Sequence, residues 1–454
     1  MLVYICYYAY TNRVALTDNS YNGRQQLLLA QNSRGEIRAA DGTVLAYTSN
    51  GQDKETRVYP FGRTFAHIVG YASHGRMGVE SLSNYYLIHT SVDLHDKLEA
   101  ELEGEKYPGD SVVTTLDVSL QEAAYEALSA YRGAVIATDP RTGRILAMVS
   151  KPDFDPNRIG EEWNEIISAD GRNTCLLNRA TQGLYPPGST FKIITALEYL
   201  REHPEEVDSY HFNCTGHFSV GEDGIQCFHG QVHGQVDFAS SFARSCNSSF
   251  ANIGIGLDHA SMAKTLQSLG FDRELPIDLP SSKSHAVCNE LSTTADMMQL
   301  SIGQGTTGMS PLHLNLITCA IANGGELMRP YVVSSVVSEE GKEIVSYHPS
   351  GAGRLMRAEE AVALRTLMEG VVQNGTGKVL KEAAYTAAGK TGSAEFSSLT
   401  TDSHAWFTGY APAEDPQICV TVIMENAGSG GEYAVPVAKR VLDAWYNESE
   451  AGEE

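Results

Sequence analysis

The sequence predicts an α+β chain of two domains, and three observations carry that expectation. At 454 residues the chain is too long for one ordinary domain. Its strand patterns gather at the start and end of the larger part, with a long stretch richer in helical periodicity between them. Strands and helices therefore do not alternate as a doubly wound sheet requires. Hydrophobic residues make up 42% and charged residues 20%, proportions that allow a sizeable buried core. The formal net charge of −23 excludes nucleic acid as a partner, since a phosphate backbone would be repelled.

Met1-Leu-Val-Tyr-Ile-Cys-Tyr-Tyr-Ala-Tyr10 is apolar but has about half of the roughly 20 residues that a membrane-spanning helix needs. It also lacks the basic start of a signal peptide. Two readings stay open at this point: the stub of a membrane anchor within residues 1–16, or a buried first element. Residues 17–110 read as a small β-rich domain of short strands and turns. In Arg34-Gly-Glu-Ile-Arg-Ala-Ala-Asp-Gly-Thr-Val-Leu-Ala46, Asp41-Gly42 is a hairpin turn between two strands. The hydrophilic run Lys97–Lys106 and Tyr107-Pro-Gly-Asp110 mark the boundary.

The second domain, residues 111–447, opens on a helix expected over Leu116–Arg132, with Asp117 and Ser119 suited to its N-terminus. Two apolar β-runs then flank Asp139-Pro-Arg-Thr-Gly143, a hairpin of largely buried strands. A helix-rich middle is expected from about Asn164 to Gly375. Strands return at Ala387–Phe396, Ala405–Ala411 and Ile418–Met424, and an amphipathic helix covers Val435–Tyr446. The acidic residues 448–454 are expected to be a disordered tail.

Eight cysteines are scattered without a dense framework, which excludes a disulfide scaffold. Cys214 and Cys227 stand apart, in a Gly-rich segment with hairpin character. For them a disulfide, free thiols and a zinc site completed by His217 and His229 all stay open, although the spacing fits no common zinc module.

Three constellations carry chemistry. In Tyr185-Pro-Pro-Gly-Ser-Thr-Phe-Lys192, the prolines and glycine end the preceding structure, and apolar residues at 193, 197 and 200 follow with helical spacing. Ser189 then sits at a helix start, where the dipole favours a developing alkoxide. Lys192 lies over the same face, and a desolvated lysine can act as a base. A second Ser-x-x-Lys, Ser261-Met-Ala-Lys264, falls within an ordinary amphipathic helix and is read as structural. In Ser245-Cys-Asn247, a hydroxyl and an amide on one loop can face a common cleft, although a bare Ser-x-Asn, such as Ser20-Tyr-Asn22, is more often a cap or turn. In Ala388-Gly-Lys390-Thr-Gly-Ser-Ala-Glu395, glycines beside Lys390 and Thr391 suit close approach of an extended peptide along a sheet edge. No Gly-x-x-x-x-Gly-Lys pattern leads into a helix there, so it is not a phosphate loop.

In this order the three motifs resemble the signature of serine penicillin-recognising enzymes. Arg132-Gly-Ala-Val, Asp139–Ser150, Lys151-Pro-Asp-Phe-Asp-Pro-Asn157, Ser301-Ile-Gly-Gln-Gly305 and His404–Pro412 resemble class B penicillin-binding proteins. So do the stretches beginning at Arg34-Gly-Glu-Ile and Gly75-Arg-Met-Gly-Val-Glu80, which extends the likeness over nearly the whole chain. One departure is the shortened turn Ala39-Ala-Asp-Gly42. The resemblance implies a peptidoglycan D,D-transpeptidase with Ser189, Lys192, Ser245, Asn247 and Lys390 as catalytic residues. Thr391, Gly392 and Ser393 would bind the substrate, and the backbone amides of Ser189 and Ser393 the oxyanion. It implies no metal or organic cofactor. The implied partners are D-Ala-D-Ala stem peptides, β-lactams and a polytopic glycan polymerase, and the implied location is outside the cytoplasmic membrane on a single-pass anchor. The alternatives are a sensing or scaffolding module that acylates without turnover, and a hydrolytic D,D-carboxypeptidase or β-lactamase.

Overall fold

Asp41 accepts the Thr43 amide at 2.9 Å, and Gly42 takes a positive φ of 90°, so the expected turn joins antiparallel strands Ile37–Arg38 and Val44–Asn50. In the computed structural model these belong to a six-stranded sheet in the order Glu343–Ser346, Val333–Val337, Ser111–Thr114, Ile37–Arg38, Val44–Asn50, Glu55–Val58. Residues 24–50, 55–93, 106–168, 174–395 and 403–451 are described, with Met1, Tyr4, Tyr7, Tyr8 and Leu102. The anchor expected within residues 1–16 and the turn Ser20–Asn22 lie outside the described residues, the four named at the start excepted. Among the described residues no helix is long and apolar enough to cross a membrane.

The chain forms two compact units. The first gathers residues 1–118, 153–176 and 331–348, so it extends beyond the contiguous stretch 17–110 expected for it. Its sheet is completed by strands from far along the chain, with Val333 opposite Thr114. A second core joins Ala66, Tyr71, Phe154, Ile159, Ile166 and Cys175. Within the same unit the buried Glu80 carboxylate meets Arg34 at 2.5 Å and Arg57 at 2.7 Å.

The second unit gathers residues 119–152, 177–330 and 349–454 around an antiparallel sheet. Its strand order is Ala388–Glu395, Ser403–Ala411, Ile418–Met424, Gly133–Thr138, Ile145–Lys151. The strands Ser403–Ala411 and Ile418–Met424 are buried at every position, as an apolar run covered on both faces must be. On one face Leu120, Leu128, Val435 and Leu442 pack against Val135, Phe407 and Val420. On the other lies the helix Pro311–Ala322, capped by Ser310, buried throughout and tied to the sheet by Thr318–Thr408 and Thr138–Asn315 hydrogen bonds. This leaves Ala388–Glu395 as an edge strand.

Two expectations need correction. The middle of the chain also holds short strands, among them His211–Cys214, His217–Val220, Asp223–Gln226 and Gly234–Asp237. They are too short and polar to show a clear alternating pattern. The last helix, Val435–Ala451, continues through Asn447-Glu-Ser-Glu-Ala451, so residues 448–451 are helical rather than part of a disordered tail. Glutamate and alanine there are good helix formers.

Candidate active site

Ser189 lies in a single 3-10 turn, Gly188–Phe191, that feeds directly into the helix Lys192–Glu202. Gly188 has φ 54° and donates its N–H to Gly303 at 2.9 Å. A side chain on Gly303 would come 2.3 Å from the Gly188 carbonyl, so the Ser301–Gly305 stretch supports the turn by close backbone contact. Ile193, Ile194 and Leu197 anchor the helix in the core, which leaves Ser189 half-buried and Lys192 fully buried beneath it. The Lys192 ammonium reaches Ser189 Oγ at 3.1 Å, the Ser245 carbonyl at 2.8 Å, Ser245 Oγ at 3.3 Å and Asn247 Oδ1 at 2.7 Å.

The second motif sits where the helix Phe238–Ala243 stops and Asn247–Gly254 begins. Ser245 has φ 58°, a left-handed conformation that costs a non-glycine residue about 1 kcal/mol or more. It is held there by its N–H to Phe242 and by the Cys246 N–H to Ser241. The strain turns both the Ser245 carbonyl and hydroxyl toward Lys192. On the edge strand, Lys390 donates to Ser245 Oγ at 2.9 Å and to the Thr391 carbonyl at 3.1 Å. A side chain at Gly392 would lie 3.0 Å from both the Pro187 carbonyl and Thr190 Cγ2. Only glycine lets the strand approach the nucleophile's turn this closely.

Both lysines are buried without a carboxylate among their acceptors. Burial lowers Lys192 from 10.5 to about 7, against an opposing influence of the Cys246 and Cys227 thiols. Burial, then the Lys192 charge, holds Lys390 well below the usual lysine value. A neutral Lys192 amine beside a serine hydroxyl can accept its proton, and a protonated, desolvated Lys390 makes the cleft receptive to an anion.

Ser189, Ser245, Asn247, Thr391, Gly392 and Ser393 line a cleft of about 360 Å³, and Lys192 and Lys390 lie beneath it. The structure thus brings together all eight residues singled out by sequence. The other Ser-x-x-Lys, Ser261 and Lys264, lies on the helix His259–Ser268, where the Ser261 amide is capped by Asp258. Sequence reasoning missed Thr376, whose Oγ1 lies 2.5 Å from Thr391 Oγ1, and the cleft residues Arg244 and Gln304. The one available signal for Thr376 was its place between Gly375 and Gly377.

The Cys214 and Cys227 sulfurs are 3.7 Å apart and not bonded. His217 and His229 are exposed and do not join them. The groups that do are His233 and Cys246, which corrects the ligand set read from spacing.

A nucleophilic serine with a buried lysine base, a facing Ser-x-Asn loop and a Lys-Thr-Gly edge strand define a serine acyl-transfer enzyme of the penicillin-recognising class. The family model described as penicillin binding protein transpeptidase domain matches residues 133–443, and that of the penicillin binding protein A dimerisation domain matches residues 34–112. The chain belongs to the penicillin-binding protein transpeptidase family. It is 31% identical over 453 residues to the peptidoglycan D,D-transpeptidase PbpA of Mycolicibacterium smegmatis, covering 92% of this chain and 91% of that protein. It is also 31% identical over 450 residues to the peptidoglycan D,D-transpeptidase MrdA of Acinetobacter baumannii, covering 86% and 66%. Among solved structures, the penicillin G acyl-enzyme complex of penicillin-binding protein A from M. tuberculosis superposes with a TM-score of 0.82 at 27% identity, over 92% of this chain and 100% of that one.

Proposed function

We propose that this enzyme, a serine-type D,D-transpeptidase, cross-links peptidoglycan stem peptides through an acyl-enzyme on Ser189. The observation that carries the reading is the fully buried Lys192, 3.1 Å from Ser189 Oγ and lowered by burial to about 7. The neutral amine takes the Ser189 proton as Oγ attacks the penultimate D-Ala carbonyl. The backbone amides of Ser189 and Ser393 receive the oxyanion, and each such donor is typically worth about 3 kcal/mol. Ser245, between Lys192 and Lys390, passes the proton to the leaving D-Ala amine. Asn247 orients Lys192, and Lys390 supplies positive potential. Thr391 and Ser393 hold the terminal carboxylate, while Gly392 keeps the strand close. An amine from a neighbouring stem then attacks the ester, forming the cross-link and returning the proton to Ser189. β-Lactams enter by the same attack and remain attached.

The division of labour places acyl transfer in residues 111–447 and a pedestal role in residues 17–110, where a polytopic glycan polymerase would dock. Since stem peptides lie outside the cytoplasmic membrane, the catalytic unit faces outward on a single-pass anchor. Incubation with nascent glycan carrying D-Ala-D-Ala stems tests the function. Cross-linked muropeptides and free D-Ala are expected from the wild type and not from Ser189→Ala. Free D-Ala without cross-links would make the enzyme a carboxypeptidase, and neither product would leave a sensing module.

A further inference from the structure

The catalytic cleft adjoins a second cavity of about 350 Å³ that acyl transfer as described leaves unused. Gln299 and Gln304 line both, so the two spaces share a wall. The second cavity lies between segments 287–292 and 304–307 and the helix Thr294–Ser301. Main-chain hydrogen bonds between His285 and Gly308, at 2.8 and 2.9 Å, pin the two segments together. The segment 304–307 is also tied to the nucleophile's turn at either end. Gly303 accepts the Gly188 N–H at 2.9 Å, and Met309 and Tyr185 exchange bonds at 2.8 and 3.1 Å. The cavity therefore keeps a fixed place relative to Ser189.

Its lining combines three chemistries. Val287 and Leu291 are exposed apolar side chains at its rim. Thr307 is 4% exposed, yet its hydroxyl has no hydrogen-bond partner among the described residues, and neither has the Gln299 side-chain amide. Polar groups so enclosed are ordinarily paired, and the main chain of a bound peptide would pair them. The third chemistry is charge, from Asp296, the one carboxylate of the lining. Its Oδ2 accepts the Thr293 amide and hydroxyl, each at 2.8 Å, and its Oδ1 has no partner among the described residues. Those bonds, the amide's first, hold the carboxyl below its ordinary value, so it is charged at neutral pH. The catalytic cleft itself is lined by no carboxylate. A cation on the substrate thus finds its counter-charge in the second cavity and not in the first.

We propose that this cavity is a subsite for the donor stem and takes the side chain that bears the stem's own amine. Val287 and Leu291 cover the alkyl part, Asp296 receives the ammonium, and Gln299 and Thr307 bond the adjacent main chain. The inference rests on the transpeptidase reading. Every stem that can be cross-linked carries an acceptor amine, so a stem acting as donor carries one too. With the terminal carboxylate on the edge strand at Thr391 and Ser393, the rest of the donor leaves along a different wall, where Gln299 and Gln304 stand. An ammonium has no free electron pair, so the donor's amine, held charged at Asp296, stays idle while the neighbour's reacts.

The test compares two donors on the full chain: nascent glycan whose stems carry the free amine, and the same glycan with that amine acetylated. Hydroxylamine serves as acceptor for both, so a blocked stem amine does not stop turnover. It attacks the Ser189 ester, giving a hydroxamate and returning the proton to the serine. At limiting donor, D-Ala release should be about three- to tenfold faster from the free-amine stems. Asp296→Asn should bring the two rates together, and Asp296→Lys should reverse the preference, a swap that damage to the fold would not produce. Equal rates on the wild type would overturn the subsite without any variant. A preference that survives both variants would overturn the role of Asp296. Benzylpenicillin, which has no amine, reports separately on Ser189. Drug acylation together with equal donor rates removes the subsite alone, whereas no D-Ala from either donor removes the transpeptidase reading and the subsite with it.

Discussion

In the first unit the buried carboxylate of Glu80 lies between the Arg34 and Arg57 guanidiniums and also accepts from Tyr59 at 3.1 Å. Burial alone would raise its pKa, but the two cations outweigh burial and hold it below the usual carboxylate range. In the second unit Lys192 and Lys390 are equally buried, share the Ser245 hydroxyl and meet no carboxylate. Their acceptors are neutral, and both are lowered. A buried charge with its counter-charges is fixed and serves structure. A buried charge without them is ready to lose its proton, and serves chemistry.

That contrast can be broken by substitution. Lys192→Met should lower the rate of benzylpenicillin acylation by about a hundred- to ten-thousand-fold, as loss of a positioned base does, while circular dichroism and melting stay near wild type. Unchanged acylation would remove Lys192 from the mechanism. Glu80→Ala should act in the opposite sense. It leaves two buried guanidiniums uncompensated and should destabilise the fold by about 3–5 kcal/mol in denaturant titration, with acylation of the folded protein unaltered.

Smaller effects sharpen the same comparison. Lys192 is lowered to about 7 and must be neutral to act as a base. The acylation rate should therefore rise with pH, about tenfold per unit below the midpoint, and level off above it. A profile flat from pH 5 to about 9 would contradict a lysine base. Thr376→Val removes a hydroxyl that contacts Thr391 and no charged group. It should slow acylation by about tenfold or less, comparable to the loss of one hydrogen bond.

The motifs were legible because each is local. Pro186-Pro-Gly188 places Ser189 at a helix start and Lys192 one turn on, whatever the rest of the chain does. Apart from the edge strand Ala388–Glu395, the sheet strands of the second unit were legible as apolar runs. The pairing of Val333–Val337 with Ser111–Thr114 was not, because alternation shows that a segment is a strand and not which strand it joins. Thr376 reaches Thr391 only through the packing of the helix Ala358–Asn374 against the edge strand. The thiol cluster failed for a related reason. Nearness in sequence set His217 and His229 beside Cys214 and Cys227, but the strand pairing of His211–Cys214 with Gly234–Asp237 brings in His233. Cys246 was read only as the middle of a catalytic motif, while its sulfur turns away from the cleft into that cluster.

The central claim is that Ser189 is the nucleophile, and intact-protein mass spectrometry after benzylpenicillin treatment, followed by peptide mapping, tests it most directly. A stable adduct of one drug molecule on the peptide containing Ser189, absent from Ser189→Ala, is the expected result. An adduct, or turnover of the drug, that persists in Ser189→Ala would contradict it.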